Sequence, residues 1–397
     1  MSNGPDNKGD KTVIARTLLE GDAKLPSLDP NTTVLLRTGL AGPASPDERA
    51  HYLAVIAGPH AGMRIELGAK AIVLGRTAPA DVVLDDQQVS RNHCRVAVVM
   101  DEVFVNDLGS SNGTFVDGER IERNTYVPPG GRIHIGGNVL EHEWRARSEV
   151  EASTRLDHDL ASAGRYVQSL LPLPLGEGPM RTEWVLLPSA RLGGDVFGYH
   201  PLGADAFAIY LVDVSGHGTG AALHAVSVLN VLRQSALPGV DMRDPSAIAG
   251  YLNAVFPMES HGDMYLTLWY GVYDARTRSL AYCSAGHHPA YLVDAQRSRA
   301  APLANANVLI GMMPGYNYRG GSAEVPFGAS LYLFSDGAFE VDAIDGSVRS
   351  LDEFVPLLTA PVDPEKSESQ RLLDTMKATT GRESFEDDFT LVVAALG

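Results

Sequence analysis

Cysteine is nearly absent from this 397-residue chain, and the two that occur, Cys94 and Cys283, lie far apart in sequence. Neither a disulfide framework nor a cysteine-based zinc site can be assembled from them within one domain, and a reducing compartment fits. Long apolar runs are missing too: no stretch approaches the length needed to span a bilayer. The first residues, Met1 to Lys11, are polar and rich in Gly, Asp and Asn, without the apolar centre of a secretion signal. A cytoplasmic location is therefore expected. Basic residues are in deficit, with 32 Lys and Arg against 49 Asp and Glu and a formal charge of -17. Such a charge repels phosphate backbones and anionic lipid, so neither nucleic acid nor membrane is expected as the main partner.

The remaining composition is that of globular protein, with 44% hydrophobic and 20% charged residues, which excludes fibrous and disordered classes for most of the length. The chain exceeds what one core usually organises, so two domains are expected. Residues 1–50 show no sustained periodicity and read as a flexible tail. Over 51–146, short β-branched or alternating runs recur at intervals of 8 to 12 residues, between Gly, Asp, Asn or Pro: Tyr52 to Ile56, Ala71 to Leu74, Cys94 to Met100, Val103 to Asn106, Thr114 to Val116, Arg132 to Ile135 and Val139 to Trp144. This is the texture of an all-β sandwich. Over 147–179 the pattern becomes helical. Leu156, Leu160, Ala163, Val167 and Leu170 follow a 4-3-4-3 spacing, which suits either a helix packed on its own domain or a dimer seam. Over 180–397 strands and helices mix without strict alternation, which favours antiparallel sheets with segregated helices.

Three blocks in the β-rich part stand out: Gly75-Arg76 at a strand end, Ser90-Arg91-Asn92-His93, and Asp107 to Thr114 with the run Gly109-Ser110-Ser111-Asn112-Gly113. A guanidinium fork and short hydroxyl or amide donors on rigid turns are what a dianionic phosphate calls for. Taken singly, Arg76 is also readable as a solvated charge and Asn112-Gly113 as a plain hairpin turn. Together and in this order they resemble a forkhead-associated (FHA) domain. The resemblance implies that Arg76 and Ser90 contact a phosphothreonine phosphate, that Ser111 assists, that Arg91 belongs to the same peptide-binding face, and that Asn112 holds the peptide backbone. It gives His93 a structural role.

In the C-terminal part, four acidic clusters stand at ends of apolar strands: Gly193-Gly194-Asp195, Asp213 to Gly218, Ser335-Asp336-Gly337, and Asp387-Asp388-Phe389-Thr390. Aspartates beside glycines at a sheet rim suit hard cations, which prefer carboxylate, carbonyl and water oxygens. The order resembles the PPM superfamily of metal-dependent protein phosphatases, in particular its bacterial SpoIIE/RsbU-type branch; Ala285-Gly286-His287-His288-Pro289 and Arg165 to Pro172 resemble that branch as well. What this implies is an α+β fold of α-β-β-α layers and two divalent cations, Mn or Mg, that activate a shared water. Asp213 would bridge the ions and the Val214 carbonyl would add a ligand. Asp195 would act directly or through water, and Asp336 and Asp387, preferred over Asp388, would complete the shell of the second ion.

The branch commonly carries a further acidic residue three positions after the aspartate of Gly-Gly-Asp. This chain has Gly198 there, which puts the metal shell in question. Arg191 is a candidate for the substrate phosphate, against the plainer reading of a solvated loop charge. His217 is a candidate proton donor, against a polar turn filler. His287 and His288 lack the spacing of a zinc site, and Ser215 lacks a nucleophile elbow. The expected activity is hydrolysis of phosphoserine or phosphothreonine on a signalling protein, with a phosphothreonine partner at the FHA domain and a homodimer through the linker helix open. The rival readings are a phosphopeptide adaptor with a weak or inactive phosphatase-like domain, and an enzyme acting on a small phosphorylated metabolite.

Overall fold

The computed structural model describes residues 15–16, 34–37, 48–216, 218–234, 237–382 and 384–397. The chain divides into two compact units between Ser162 and Ala163, within a single helix, Arg147–Leu170.

The first unit is a pair of sheets. One contains Met63–Leu67, Arg49–Ala57, Asn138–Ala146, Arg132–Ile135, Thr114–Val116 and Glu119–Arg120 as neighbours in that order; the other contains Thr125–Val127, Glu102–Asp107, Cys94–Val99, Ile72–Gly75 and Val82–Val83. Alternation decides which side chains enter the core: Ile133 and Ile135 from one strand, Val103 and Val105 from another, Leu53 and Val55 from a third, all buried together. The expected strands all form. Two strands also occur in the segment expected as a tail, Ala15–Arg16 and Val34–Arg37, the second paired parallel to Met63–Leu67. An apolar Val34-Leu35-Leu36 run can satisfy the unpaired backbone groups of a sheet edge, which lack of periodicity did not reveal.

The second unit has two five-stranded antiparallel sheets. The first runs Met180–Leu187, Phe389–Leu396, Ser330–Phe334, Ala290–Val293, Ala300–Leu303; the second runs Asp195–Pro201, Ala206–Val214, Leu266–Asp274, Ser279–Ala285, Gly321–Glu324. Leu331, Leu333, Val392 and Ala394 of the first share a core with Ile209, Leu211 and Trp269 of the second. Helices Thr219–Leu232 and Pro245–Val255 cover the second sheet, and Leu351–Thr359 and Glu368–Thr380 the first. The α-β-β-α layering is thus present. Local chemistry sets the helix ends. Asp244 accepts from the amides of Ser246 and Ala247 ahead of Pro245, Ser350 and Glu353 form a capping box, and Gly381 closes the last helix in a left-handed conformation. Among the described residues no helix is long and apolar enough to cross a membrane.

Gly198 has a packing role. It pairs with Tyr210 across the strands, and a Cβ at 198 would stand 2.8 Å from Tyr210 Cε2 and closer still to its phenol oxygen. The missing side chain makes room for the Tyr210 ring, which stacks on Tyr270 at 5.8 Å. An acidic residue cannot be restored here without displacing that ring. Gly198→Asp is expected to destabilise the domain by about 3 kcal/mol or more, through overpacking and an unpaired buried charge. A urea titration in which Gly198→Asp matches the parent would contradict this packing.

Candidate functional sites

In the second unit the strand ends of both sheets deliver carboxylates to one place. Asp195 opens one strand and lies directly opposite Asp213 near the end of the next. Asp336 begins a short 3-10 turn just after Ser330–Phe334, and Asp387 and Asp388 precede Phe389–Leu396, which pairs with that same strand. Burial first, then the charges of Asp213 and Asp388, hold the Asp195 carboxyl well above the usual carboxylate range. Burial, followed by Asp336, Asp387 and Asp388, pushes Asp213 up to about 7. Asp336 is raised by burial and by Asp387. Burial is the larger cause in each case and the neighbouring carboxylates add to it, a combination that positive charge within the cluster would relieve.

The donor set is all oxygen. Among the described residues no three His, Cys, Asp or Glu side chains converge tightly enough to hold one ion by themselves. An all-oxygen donor set suits hard cations and not a zinc cage. The Val214 carbonyl lies 2.7 Å from where a Cβ on Gly194 would stand.

The two adjacent aspartates differ sharply. Asp387 is exposed, whereas Asp388 is buried. The Asp388 carboxylate accepts from the Ser189 amide at 2.8 Å, the Ser189 hydroxyl at 2.9 Å, the Gly194 amide at 2.7 Å and, at 3.4 Å, the Asp195 amide. It ties the loop before Asp195 to the strand of the other sheet. Thr390 Oγ1 donates to Asp195 at 2.6 Å. Ser335 Oγ donates to the Asp388 carbonyl and accepts from the Thr390 amide. Ser189, Ser335 and Thr390 were not singled out from sequence, although Ser335 and Thr390 sit inside two of the acidic motifs. His217 lies outside the described residues. His287 is buried and His288 half-buried; burial pushes His287 down to about 4 and holds His288 well below the usual imidazole range, and His288 stacks on Phe334 at 4.7 Å. Neutral rings in an apolar setting serve packing.

In the first unit the three motif blocks meet at one end of the sandwich. The Arg76 amide donates to the Ser90 carbonyl at 2.9 Å, and its guanidinium reaches the Gln87 carbonyl at 3.4 Å. The Ser111 amide donates to Ser90 Oγ at 3.0 Å, and Asn112 Nδ2 donates to the Gln88 carbonyl at 2.7 Å. Arg91 is exposed in the turn after Ser90. His93 pins the two loops together: Nδ1 accepts from the Ser90 amide at 3.0 Å, which fixes Nε2 as the donor to the Gly113 carbonyl at 3.0 Å. Asp107 accepts from the amides of Gly109 and Ser110 and the hydroxyls of Ser110 and Thr114. Burial would raise its carboxyl, but these hydrogen bonds outweigh it and leave it below the ordinary range. Gly109 and Gly113 are both left-handed, at φ 81° and 84°.

Two outcomes follow from these anchors. Asp388→Ala removes the acceptor of three strong loop hydrogen bonds and should cost about 2–4 kcal/mol; Asp388→Asn, which keeps one carbonyl acceptor, should cost less. Equal denaturant midpoints for parent and Asp388→Ala would refute the anchoring role. Burial lowers the pKa of His93, and that of His142 likewise. The neutral ring is favoured in the fold, so its stabilising contribution is complete above the unfolded value of about 6.5 and is lost as pH falls towards the native values. The N-terminal unit should thus melt lower as pH drops below that point, with a shallower slope in His93→Gln.

Comparison with known proteins bears on both units. The family model of Stage II sporulation protein E (SpoIIE) matches residues 203–397, and that of the inner membrane component of T3SS, cytoplasmic domain, matches 54–143. The FHA domain-containing protein FhaB of Mycolicibacterium smegmatis is 36% identical over 118 residues, covering 28% of this chain and 76% of that protein. The phosphoserine phosphatase RsbU of Bacillus subtilis is 24% identical over 247 residues, covering 62% of this chain and 70% of that protein. The SiaA-PP2C domain of Pseudomonas aeruginosa shares the fold with a TM-score of 0.55 at 22% identity, over 62% of this chain and 99% of that one. The chain accordingly belongs to the FHA-domain proteins through its N-terminal unit and, through its C-terminal unit, to the SpoIIE-type PPM metal-dependent serine/threonine phosphatases.

Proposed function

We propose that this protein hydrolyses phosphomonoesters on serine or threonine of a cytoplasmic signalling protein, and that its FHA domain selects where it acts by binding phosphothreonine. The observation that carries the reading is the cluster of mutually repelling carboxylates drawn from two sheets. In this reading Asp213 bridges two divalent cations, Mn or Mg, the Val214 carbonyl and Asp195 belong to the same shell, and Asp336 and Asp387 hold the second ion. Bound there, the cations would acidify and orient water and offset charge on the phosphoryl oxygens. The chain's own part is to hold the carboxylates in register, with Asp388 and Thr390 fixing Asp195. Arg76, Ser90, Arg91, Ser111 and Asn112 form the phosphopeptide site, where a guanidinium and short donors suit a dianion. Similarity to RsbU, named as a phosphoserine phosphatase, supports hydrolysis at phosphoserine, and the phosphopeptide-reading FHA domain favours a protein substrate over a small metabolite.

A second reading, an adaptor with a weak phosphatase-like domain, draws on Gly198 and on the lack of a three-residue ligand cluster among the described residues. Turnover of an aryl phosphate with Mn²⁺, abolished by EDTA, separates the two. Asp213→Asn should lower that turnover by at least about a hundredfold while leaving the fold intact, since the proposed bridge loses its charge; activity equal to the parent would refute the assignment. Leu156 at 59% exposure and Tyr166 at 63% leave the linker helix with apolar surface for a homodimer.

The FHA domain acts on this reading by recruitment, because interdomain contacts across a linker are loose by default. A ligand changes a rate only if it binds two states unequally. Saturating phosphothreonine peptide is therefore expected to leave aryl phosphate turnover unchanged in the parent, as in Arg76→Ala, while lowering, by competition at the FHA site, the turnover of substrates that carry the phosphothreonine mark. A peptide-dependent rate on the aryl phosphate would replace recruitment with conformational control.

A further inference from the structure

The loop that carries Asp195 is gripped on three sides, and each grip depends on a missing Cβ. On one side is the Asp388 carboxylate: a Cβ on Gly193 would stand 2.6 Å from its Cγ. On the second is the next strand, whose Val214 carbonyl would lie 2.7 Å from a Cβ on Gly194. These two glycines belong to the acidic motif itself. The third grip comes from elsewhere in the chain. Gly164, in the helix Arg147–Leu170, lies against the backbone of Arg191, so that a Cβ on it would stand 2.6 Å from the Arg191 carbonyl oxygen and 3.9 Å from Leu192 Cδ2. Leu192 is buried, so the loop has little room to retreat.

We infer that Gly164 is a positioning residue for the catalytic loop: the helix backbone seats directly on the Arg191 carbonyl and so sets where Gly194 and Asp195 stand. Helix propensity argues for a different residue. Glycine is the poorest ordinary helix former, and alanine at the same place would strengthen the helix. A glycine here is accounted for by the close approach. Carbonyl and helix backbone meet at a distance that admits no side chain, and rigid neighbours on the other two sides turn any push on Arg191 into a displacement of the Gly194 and Asp195 amides that bond to Asp388. The contact itself is independent of the proposed phosphatase reading; only its consequence for metal binding rests on that reading.

The sign of the effect of Gly164→Ala separates this inference from a bland role. If position 164 were an ordinary helix site, alanine would raise the melting midpoint and leave the loop untouched. If Gly164 seats the loop, alanine lowers the midpoint by several degrees, roughly 3–6 °C for a domain of this size, and speeds hydrogen exchange of the Gly194 amide by about tenfold or more in metal-free full-length protein. Ala163→Gly removes a Cβ one position away on an exposed site of the same helix. It should weaken the helix while leaving Gly194 exchange as in the parent. A higher midpoint with unchanged exchange in Gly164→Ala overturns the inference, and so does equal acceleration by Ala163→Gly, which would mean that general loosening of the helix is responsible. Mn²⁺ titration by calorimetry adds the functional arm: Gly164→Ala should bind about tenfold more weakly than the parent. Failure of the parent itself to bind Mn²⁺ would count against the phosphatase reading, while the exchange result would still decide the positioning role.

Discussion

The crowding of like charge at one edge of the C-terminal unit is the constraint to which its other features answer. Asp195, Asp213 and Asp336 are all driven above the usual carboxylate range by burial and by one another. Such a cluster is unfavourable unless something holds it, because the chain gains by letting the groups spread or protonate. The holding is done by backbone. Two five-stranded sheets with continuous registers present their ends together, and Asp388 spends its carboxylate on amides and a hydroxyl instead of on the site. The hydrogen-bonded members, Asp388, Thr390, Ser335 and Ser189, are scaffolding for the ones whose charge is left for a ligand.

The phosphate-reading face of the FHA unit solves a related problem with the opposite sign. Its donors must remain outward and ordered before an anion arrives, since ordering them at the moment of binding would subtract from affinity. His93, buried and neutral, links the Ser90 turn to the Gly113 carbonyl, and Asp107 gathers the turn that leads to Ser111 and Asn112. In both units a buried polar residue close in sequence to more exposed residues of the proposed site fixes their loop, as His93 does beside Ser90 and Arg91. Asp387 and Asp388 stand in this relation within one dipeptide.

Much of this was legible in the sequence because it is local. Strand alternation pointed to the sandwich, and its β-branched runs fall within three residues of the strands observed. Glycines beside polar residues at strand ends drew attention to the motif blocks, and family resemblance supplied the roles expected of Arg76, Ser90, Asp195, Asp213, Asp336 and Asp387. Short strands with mixed composition, such as Met63–Leu67 and Asp195–Pro201, were not legible. The first lies in a turn-rich stretch, and the second is interrupted by Gly198, whose purpose appears only when Tyr210 is seen across from it. The anchoring hydrogen bonds of Asp388 join residues separated by 194 to 199 positions, and no period or spacing in a single sequence reports such a pairing.

Glycine deserves separate treatment because its sequence reading was incomplete in one direction. At 109 and 113 it supplies backbone freedom, with left-handed angles. At 164, 193, 194 and 198 the reason is different: another group occupies the volume where a side chain would begin. Freedom of φ is a property of the residue's own backbone, whereas close approach is a property of what lies opposite. At these positions the missing side chain marks a place where two elements meet without clearance. In a densely packed domain such places transmit displacement, because neighbours have no slack to absorb it. The loop bearing Asp195 is bounded by three of them, so the geometry of the carboxylate site depends on a helix that contributes no side chain to it.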